Sequence, residues 1–120
     1  MKIREVNEDK KQFISLLLLA DEQENMIDRY IEKGTMYVLE DGNVKAECVV
    51  TDEDNGILEI KNIAVDPQNQ GQGYGKALID FLVSKYLMKQ VLSRKKSGNT
   101  ASGTRMMHLE AMMENIRGML

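Results

Sequence analysis

Three glycines alternate at positions 71, 73 and 75 in the stretch Gln70-Gly71-Gln72-Gly73-Tyr74-Gly75-Lys76, where an apolar run ends and a helical pattern begins. The first N–H groups of a helix have no partner within the helix, and the helix dipole adds partial positive charge at that end. Such an end accepts anions. Glycines placed before it let the backbone curl and approach a ligand with no Cβ in the way. The stretch is therefore suited to presenting several N–H groups to a phosphate or pyrophosphate, with Lys76 adding charge in the first turn. A plain strand-to-helix turn needs one glycine; three at alternate positions call for a further reason. Two common nucleotide fingerprints do not fit. A dinucleotide G-x-G-x-x-G would need its third glycine one position later and a βαβ unit around it. A P-loop would need a glycine at the position held by Gln70 and a Ser or Thr at that of Ala77.

Other candidates for chemistry are few. Glu59 sits in the alternating run ILEIKNIAV (residues 57–65) and is suited to accepting a proton or holding a cation; a solvated strand position is the plainer reading. Asn62 is suited to orienting a substrate or to filling a polar edge position. Cys48 is the one cysteine, which excludes an internal disulfide and gives no support for a cysteine zinc site; a small core residue is the expectation. His108 is the one histidine and reads as a surface helix residue. No metal site is expected.

These residues need elements to hold them. Residues 1–6 alternate and predict a short strand, with Met1, Ile3 and Glu5 on one face and Lys2, Arg4 and Val6 on the other. Asn7 offers an N-cap, and Phe13, Leu16, Leu17 and Ala20 predict a helix from about Glu8 to Leu19. Met26, Ile27, Tyr30 and Ile31 predict a second helix over Asp21–Lys33, ended by Gly34 as a C-terminal glycine. Beyond Gly34 the period changes from 3.6 to 2. Residues 35–40 and 44–52 predict two strands joined by a tight turn at Asp41-Gly42. A turn at 53–56 leads to a third strand of the meander over Ile57–Val65, stopped by Pro67, the one proline. Strict alternation there places Ile57, Glu59, Lys61, Ile63 and Val65 on one face and Leu58, Ile60, Asn62 and Ala64 on the other. After the glycines a helix is expected from about Gly73 to Met88, with Lys76, Asp80 and Ser84 as its solvent stripe and a wide apolar face suited to lying on a sheet. The order is β-α-α-β-β-β-α, an α+β fold.

The chain has 120 residues, a soft prior for one domain. Hydrophobic content is 42% and charged content 29%, as in a folded globular protein. A net charge of −3 argues against nucleic acid as a partner. No apolar run approaches the roughly 20 residues of a membrane span; Phe13–Ala20 is the longest, and it lacks a signal-peptide cleavage pattern. The expectation is a cytoplasmic protein with no membrane partner.

The stretch Gln70–Gly75 behind Val65-Asp66-Pro67 resembles the [QR]-x-x-G-x-[GA] signature of the GNAT superfamily of N-acetyltransferases, and the wider string LEIKNIAVDPQNQGQGYGKALIDFL is similar to that family throughout. The resemblance spans residues 1–88, and the element order agrees with the family's N-terminal half. It implies acetyl-coenzyme A as cofactor. The pyrophosphate would sit on backbone N–H groups of Gln70, Gly71, Gln72, Gly73, Tyr74, Gly75 and Lys76. The pantetheine would pair, strand-like, along Ile63, Ala64 and Val65. A primary amine, on a small molecule or a protein, would attack the thioester directly. Glu59 stands where many family members carry a carboxylate, which implies a catalytic base.

The last 32 residues depart from the family pattern. Its fifth strand, its following helix with a tyrosine that protonates the departing thiolate, and its final strands are not visible. KQVLS (residues 89–93) reads as a stunted strand at best, residues 93–105 as a linker, and residues 106–120 as a methionine-rich helix. Residues 1–88 are thus expected to form the coenzyme-binding core and residues 89–120 an atypical tail of the same domain. That tail would cover the sheet edge, pair with a second chain in a homodimer, or be a non-native continuation of an altered reading frame. The leading expectation is an acetyltransferase acting on an amine. The alternative is a catalytically weak or inactive acyl-coenzyme A-binding protein that keeps the pyrophosphate loop.

Overall fold

The computed structural model describes residues 1–53 and 57–97. The chain runs through β1 (Lys2–Val6), a 3₁₀ turn at Lys10–Phe13, α1 (Ile14–Ala20), α2 (Glu24–Asp28), β2 (Thr35–Asp41), β3 (Asn43–Glu53), β4 (Ile57–Val65), a second 3₁₀ turn at Pro67–Asn69, and α3 (Tyr74–Ser97). This is the α+β order that the changes of period predict. The strands form one antiparallel sheet in the order β1-β2-β3-β4, so the long excursion through α1 and α2 returns the chain beside β1. Among the described residues β4 is an edge, paired with β3 alone.

Each face of the sheet is covered by a different helical layer. Tyr37, Leu39, Ala46, Cys48, Val50, Ile60, Ile63 and Val65 pack against Leu78, Ile79 and Leu82 of α3. Val6, Met36, Val38 and Val49 pack on the other side with Leu17 of α1, Ile27 of α2, and Tyr30 and Ile31 beyond it. The expected solvent stripe of α3, Lys76, Asp80 and Ser84, is exposed.

Two register shifts reshape the strands. Leu39 faces Ala46 while Glu40 faces Val44, which leaves Lys45 as an extra residue on β3. Val50 faces Ile60 while Val49 faces Asn62, which leaves Lys61 as an extra residue on β4. The second bulge corrects the strict alternation read from the sequence. An inserted residue shifts the side-chain phase by one. Leu58 and Ile60 therefore join Ile63 and Val65 on the α3 face. Glu59, opposite Thr51, falls on the α1/α2 face with Asn62 and Ala64.

The helices differ from expectation in three places. Residues 8–13 do not continue α1: Asp9, not Asn7, precedes the first turn, in a left-handed conformation with φ 49°. The second helix is five residues long because its bonds tighten to the i→i+3 type at Arg29 and Tyr30. Lys10 Nζ takes the carbonyls of Ile31 and Gly34, at 2.9 and 2.7 Å, in the turn that follows. Gly34 is needed for closeness rather than for a left-handed cap: a Cβ there would lie 2.8 Å from Val49 Cγ1 and 2.9 Å from the Tyr30 carbonyl oxygen. At the other end, α3 runs nine residues past Met88 to Ser97, so residues 89–93 are helical rather than a stunted strand and 93–97 are not linker. Lys89 to Ser97 holds no glycine or proline, and Lys, Gln, Leu and Arg propagate a helix well. The turn expected at 53–56 lies outside the described residues except for Glu53, which ends β3, and so do the linker beyond Ser97, the methionine-rich helix and His108.

Candidate functional site

The glycine loop forms where β4 ends. Asp66 donates its backbone N–H to the Lys45 carbonyl at 2.8 Å, which ties the strand end to the β3 bulge. Its carboxylate accepts the Gln68 N–H at 3.0 Å and Pro67 opens the 3₁₀ turn, so the chain leaves the sheet at once. The Gln70 side chain reaches back to the Val65 carbonyl at 3.3 Å. Gly71 and Gly73 both take positive φ, 80° and 89°. A Cβ at either position would meet no other protein atom within 4 Å, so space inside the protein does not demand glycine there. The backbone conformation does.

Gly73 is the residue at which α3 begins. Its carbonyl accepts the Ala77 N–H at 3.0 Å, the first bond of the helix. The N–H groups of Tyr74, Gly75 and Lys76 accordingly precede the helical bonding pattern. Gly71, Gln72, Gly73 and Lys76 are exposed, whereas Gly75 is buried. The Tyr74 hydroxyl donates to Asp41 Oδ2 at 2.7 Å, which pins the helix start to the β2–β3 hairpin. That bond also raises the Tyr74 phenol above its ordinary pKa. Lys76 points along the helix, its ammonium 3.4 Å from Asp80 Oδ2. Ile63, Ala64 and Val65 are buried on the outermost strand described, immediately before the loop.

The structure thus brings the ten residues assigned to a coenzyme into one continuous strip: the last residues of β4, the glycine turn and the first turn of α3. Exposed N–H groups with no Cβ over them at Gly71 and Gly73 suit a diphosphate. Glu59 is on the same strand, four residues before Ile63. Its Oε1 lies 3.2 Å from Lys61 Nζ, and its side chain is 39% exposed. It stands at the α1/α2 end of the bulge, apart from the glycine loop. Asn62 is buried and structural in its contacts: its Nδ2 donates to the Leu17 carbonyl and to the Tyr30 hydroxyl, both at 3.0 Å.

One residue of this region escaped the sequence reading. Glu47, at the middle of β3, is fully buried on the α1/α2 face, and neither of its carboxylate oxygens has a hydrogen-bond partner among the described residues. Burial pushes its carboxyl up to about 8. The signal was present: a glutamate between Ala46 and Cys48 in a run that continues Val49-Val50 has a polar residue at the centre of an apolar strand. Cys48 is buried as expected, and burial pushes its thiol up, away from reactivity.

Among the described residues no group of three or more His, Cys, Asp or Glu is placed to hold a metal ion, and no helix is long and apolar enough to cross a membrane. Residues 32–114 match the acetyltransferase (GNAT) domain. An uncharacterized N-acetyltransferase of Bacillus subtilis strain 168, YvbK, is 34% identical over 80 residues, covering 66% of this chain and 52% of that protein. Among solved structures, an IAA acetyltransferase from Bacillus cereus ATCC 14579 superposes with a TM-score of 0.67 at 34% identity, over 74% of this chain and 59% of that one. A Bacillus subtilis acetyltransferase solved in complex with CoA superposes with a TM-score of 0.67 at 31% identity, over 72% of this chain and 58% of that one. The chain therefore spans between half and three fifths of the length of these relatives. Motif, sheet and domain match agree, and the chain belongs to the GNAT acetyltransferase family.

Proposed function

We propose that the chain binds acetyl-coenzyme A on the strip from Ile63 to Lys76 and transfers its acetyl group to a primary amine. The observation that carries this reading is the glycine turn itself: two residues held at positive φ, open to solvent, directly before a helix whose first N–H groups precede its bonding pattern. A bound CoA in the Bacillus subtilis relative supports it. In this reading Gln70 to Lys76 hold the diphosphate, and the outer edge of β4 at Ile63, Ala64 and Val65 pairs with the pantetheine as an added strand would. We assign the coenzyme-binding core to residues 1–88.

The coenzyme supplies an acetyl group activated as a thioester. The amine lone pair forms the new C–N bond as the C–S bond breaks, and the sulfur leaves with the electron pair. The protein holds the two reactants together and receives the amine proton. Glu59 is the acceptor we assign for that proton, directly or through water. Glu59 is held beside Lys61 Nζ at 3.2 Å, and an arriving amine would exchange with that ammonium for the carboxylate.

Two measurements test this. Calorimetry with acetyl-coenzyme A should show one-to-one binding, and thiol release should follow with some member of an amine panel. Glu59→Gln should lower the turnover rate about 100-fold or more while coenzyme affinity stays within about twofold. Equal turnover in the two proteins removes the base role. Binding without turnover on any amine favours a coenzyme-binding protein that does not catalyse, and no binding at millimolar coenzyme removes both readings. A homodimer through the tail is the assembly we assign, and a monomer by light scattering contradicts it.

A further inference from the structure

On the α1/α2 side of the sheet the hydrogens of Asn62 and Tyr30 are committed. Asn62 spends both hydrogens of Nδ2, on the Leu17 carbonyl and the Tyr30 hydroxyl. Tyr30 spends its one hydrogen on Asp21 Oδ2, at 3.3 Å. What is left, fully enclosed, is three acceptor atoms without a partner among the described residues: Asn62 Oδ1 and both carboxylate oxygens of Glu47. An enclosed acceptor left without a donor costs about 1–3 kcal/mol, and more when charged.

The two residues are diagonal neighbours on one face of the β3–β4 pair. Asn62 faces Val49 across the β3–β4 pair, and Glu47 is two residues along β3 from Val49, on the same face and opposite Ala64. Diagonal neighbours of this kind are within reach of long side chains. The charge of Glu47 also raises the Tyr30 phenol, a smaller effect there than burial, so the carboxyl lies within electrostatic range of the hydroxyl that Asn62 touches. Asn62 is the residue next to the extra residue of the bulge, and Ile63 follows it.

We propose that Glu47 is a positioning residue for coenzyme binding: its carboxyl O–H, directly or through one enclosed water, is the donor to Asn62 Oδ1 that locks the β4 bulge and so aims the backbone of Ile63, Ala64 and Val65. The chemistry is consistent with the electrostatics. Burial raises the Glu47 carboxyl to about 8, which favours the protonated form at neutral pH and with it the hydrogen needed. The titratable groups around it are few. α1 carries none. The carboxylates of α2, Glu24 and Asp28, are exposed and paired with Lys11. On β4, Glu59 pairs with Lys61. Tyr30 is paired with Asp21, Cys48 lies on the opposite face, and Lys45 sits in the β3 bulge.

The readout through coenzyme rests on the function proposed above, so the test has two arms. In the first, amide hydrogen exchange is measured on the unliganded protein at neutral pH. Glu47→Leu keeps the side-chain volume and removes the donor. Protection of Asn62, Ile63 and Ala64 should fall at least tenfold in this variant, with β1 and β2 unchanged. Glu47→Gln restores a donor and should keep the native pattern. In the second arm, coenzyme A affinity is measured by calorimetry from pH 7 to pH 9.5. The wild-type affinity should fall across this range, the Glu47→Gln affinity should stay level, and Glu47→Leu should bind at least tenfold more weakly at every pH while melting no lower than wild type. Native exchange protection in Glu47→Leu, or parallel pH profiles in wild type and Glu47→Gln, overturns the proposal. If the wild type binds no coenzyme while the exchange pattern appears as stated, the functional reading fails and the positioning role stands.

Discussion

On the α3 face of the sheet, Tyr37, Leu39, Cys48, Val50, Ile60, Ile63 and Val65 meet Leu78, Ile79 and Leu82, with no carboxyl or amide side chain among them. On the α1/α2 face the same strands present Glu47, Thr51 and Asn62, all buried, beside the apolar residues that touch Leu17, Ile27 and Tyr30. The first face holds α3 by shape and area. Such packing fixes the helix axis and tolerates small sliding, because dispersion contacts are individually weak and have little direction. The second face is directional: each hydrogen bond of Asn62 fixes an angle as well as a distance. The glycine loop is anchored to both, since α3 rises from it and β4 leads into it. A loop that presents N–H groups to a diphosphate, as proposed above, needs its helix held in place and its strand held in register, and the two faces divide those tasks.

The largest effect that would test this division is a core truncation. Leu78 is fully buried in the α3 layer. Leu78→Ala should lower unfolding stability by about 2–5 kcal/mol, read by urea titration, whereas Glu47→Leu on the opposite face should leave it equal or raise it. The carboxyl is held in its neutral form, so its loss exchanges one hydrogen bond for apolar volume, a near-even exchange. Two losses of similar size would mean that the faces are not built differently.

A second test uses pH. The Glu47 carboxyl lies at about 8 when folded, above the 4.5 of an ordinary glutamate. Between these values the folded protein holds a proton that the unfolded chain releases, so stability falls as pH rises from about 4.5 to about 8 and then levels. The slope from this one group reaches about 1.4 kcal/mol per pH unit. Glu47→Gln has no such proton. The difference in stability between wild type and Glu47→Gln should therefore move against the wild type from pH 5 to pH 8, and a constant difference would place Glu47 in contact with water or a cation.

How far the sequence carries this picture can be seen at particular residues. The change of period after Gly34, the Asp41-Gly42 turn and the alternating glycines are local signals, and each element they mark is present. The bulge at Lys61 has no such mark. Period 2 continues legibly on either side of it, and only the pairing with β3 reveals that one residue is extra. That slip moves Glu59 from the α3 face to the other side. Glu47 is harder still: alternation gives it a face, but whether that face is wet depends on α1 and α2, which lie 20 to 30 residues away in the chain. The helix ends depend on contacts and propensities that the period alone does not show. Lys10, from another element, binds the Ile31 and Gly34 carbonyls just beyond α2, and the polar run at 93–97 reads as linker although its Arg and Lys residues propagate a helix well.

The smallest stability effect with the largest functional one should come from the glycine turn. At Gly34 an added Cβ meets Val49 and the Tyr30 carbonyl, so Gly34→Ala is a packing fault whose cost appears in unfolding. At Gly73 the Cβ meets nothing in the protein, and the conflict is with φ 89°. A side chain forced there costs about 1–2 kcal/mol, and valine, branched at Cβ, sits at the upper end. Gly73→Val should therefore lower stability only modestly. Its isopropyl group would stand in open space over the turn, where the diphosphate is placed, and coenzyme affinity should fall at least tenfold. Gly34→Ala should show the reverse ranking: a larger loss of stability, with affinity in the folded fraction little changed. Unaltered coenzyme affinity in Gly73→Val would mean that the turn is only a turn, and that the N–H groups at the start of α3 face water in the bound protein as they do in the free one.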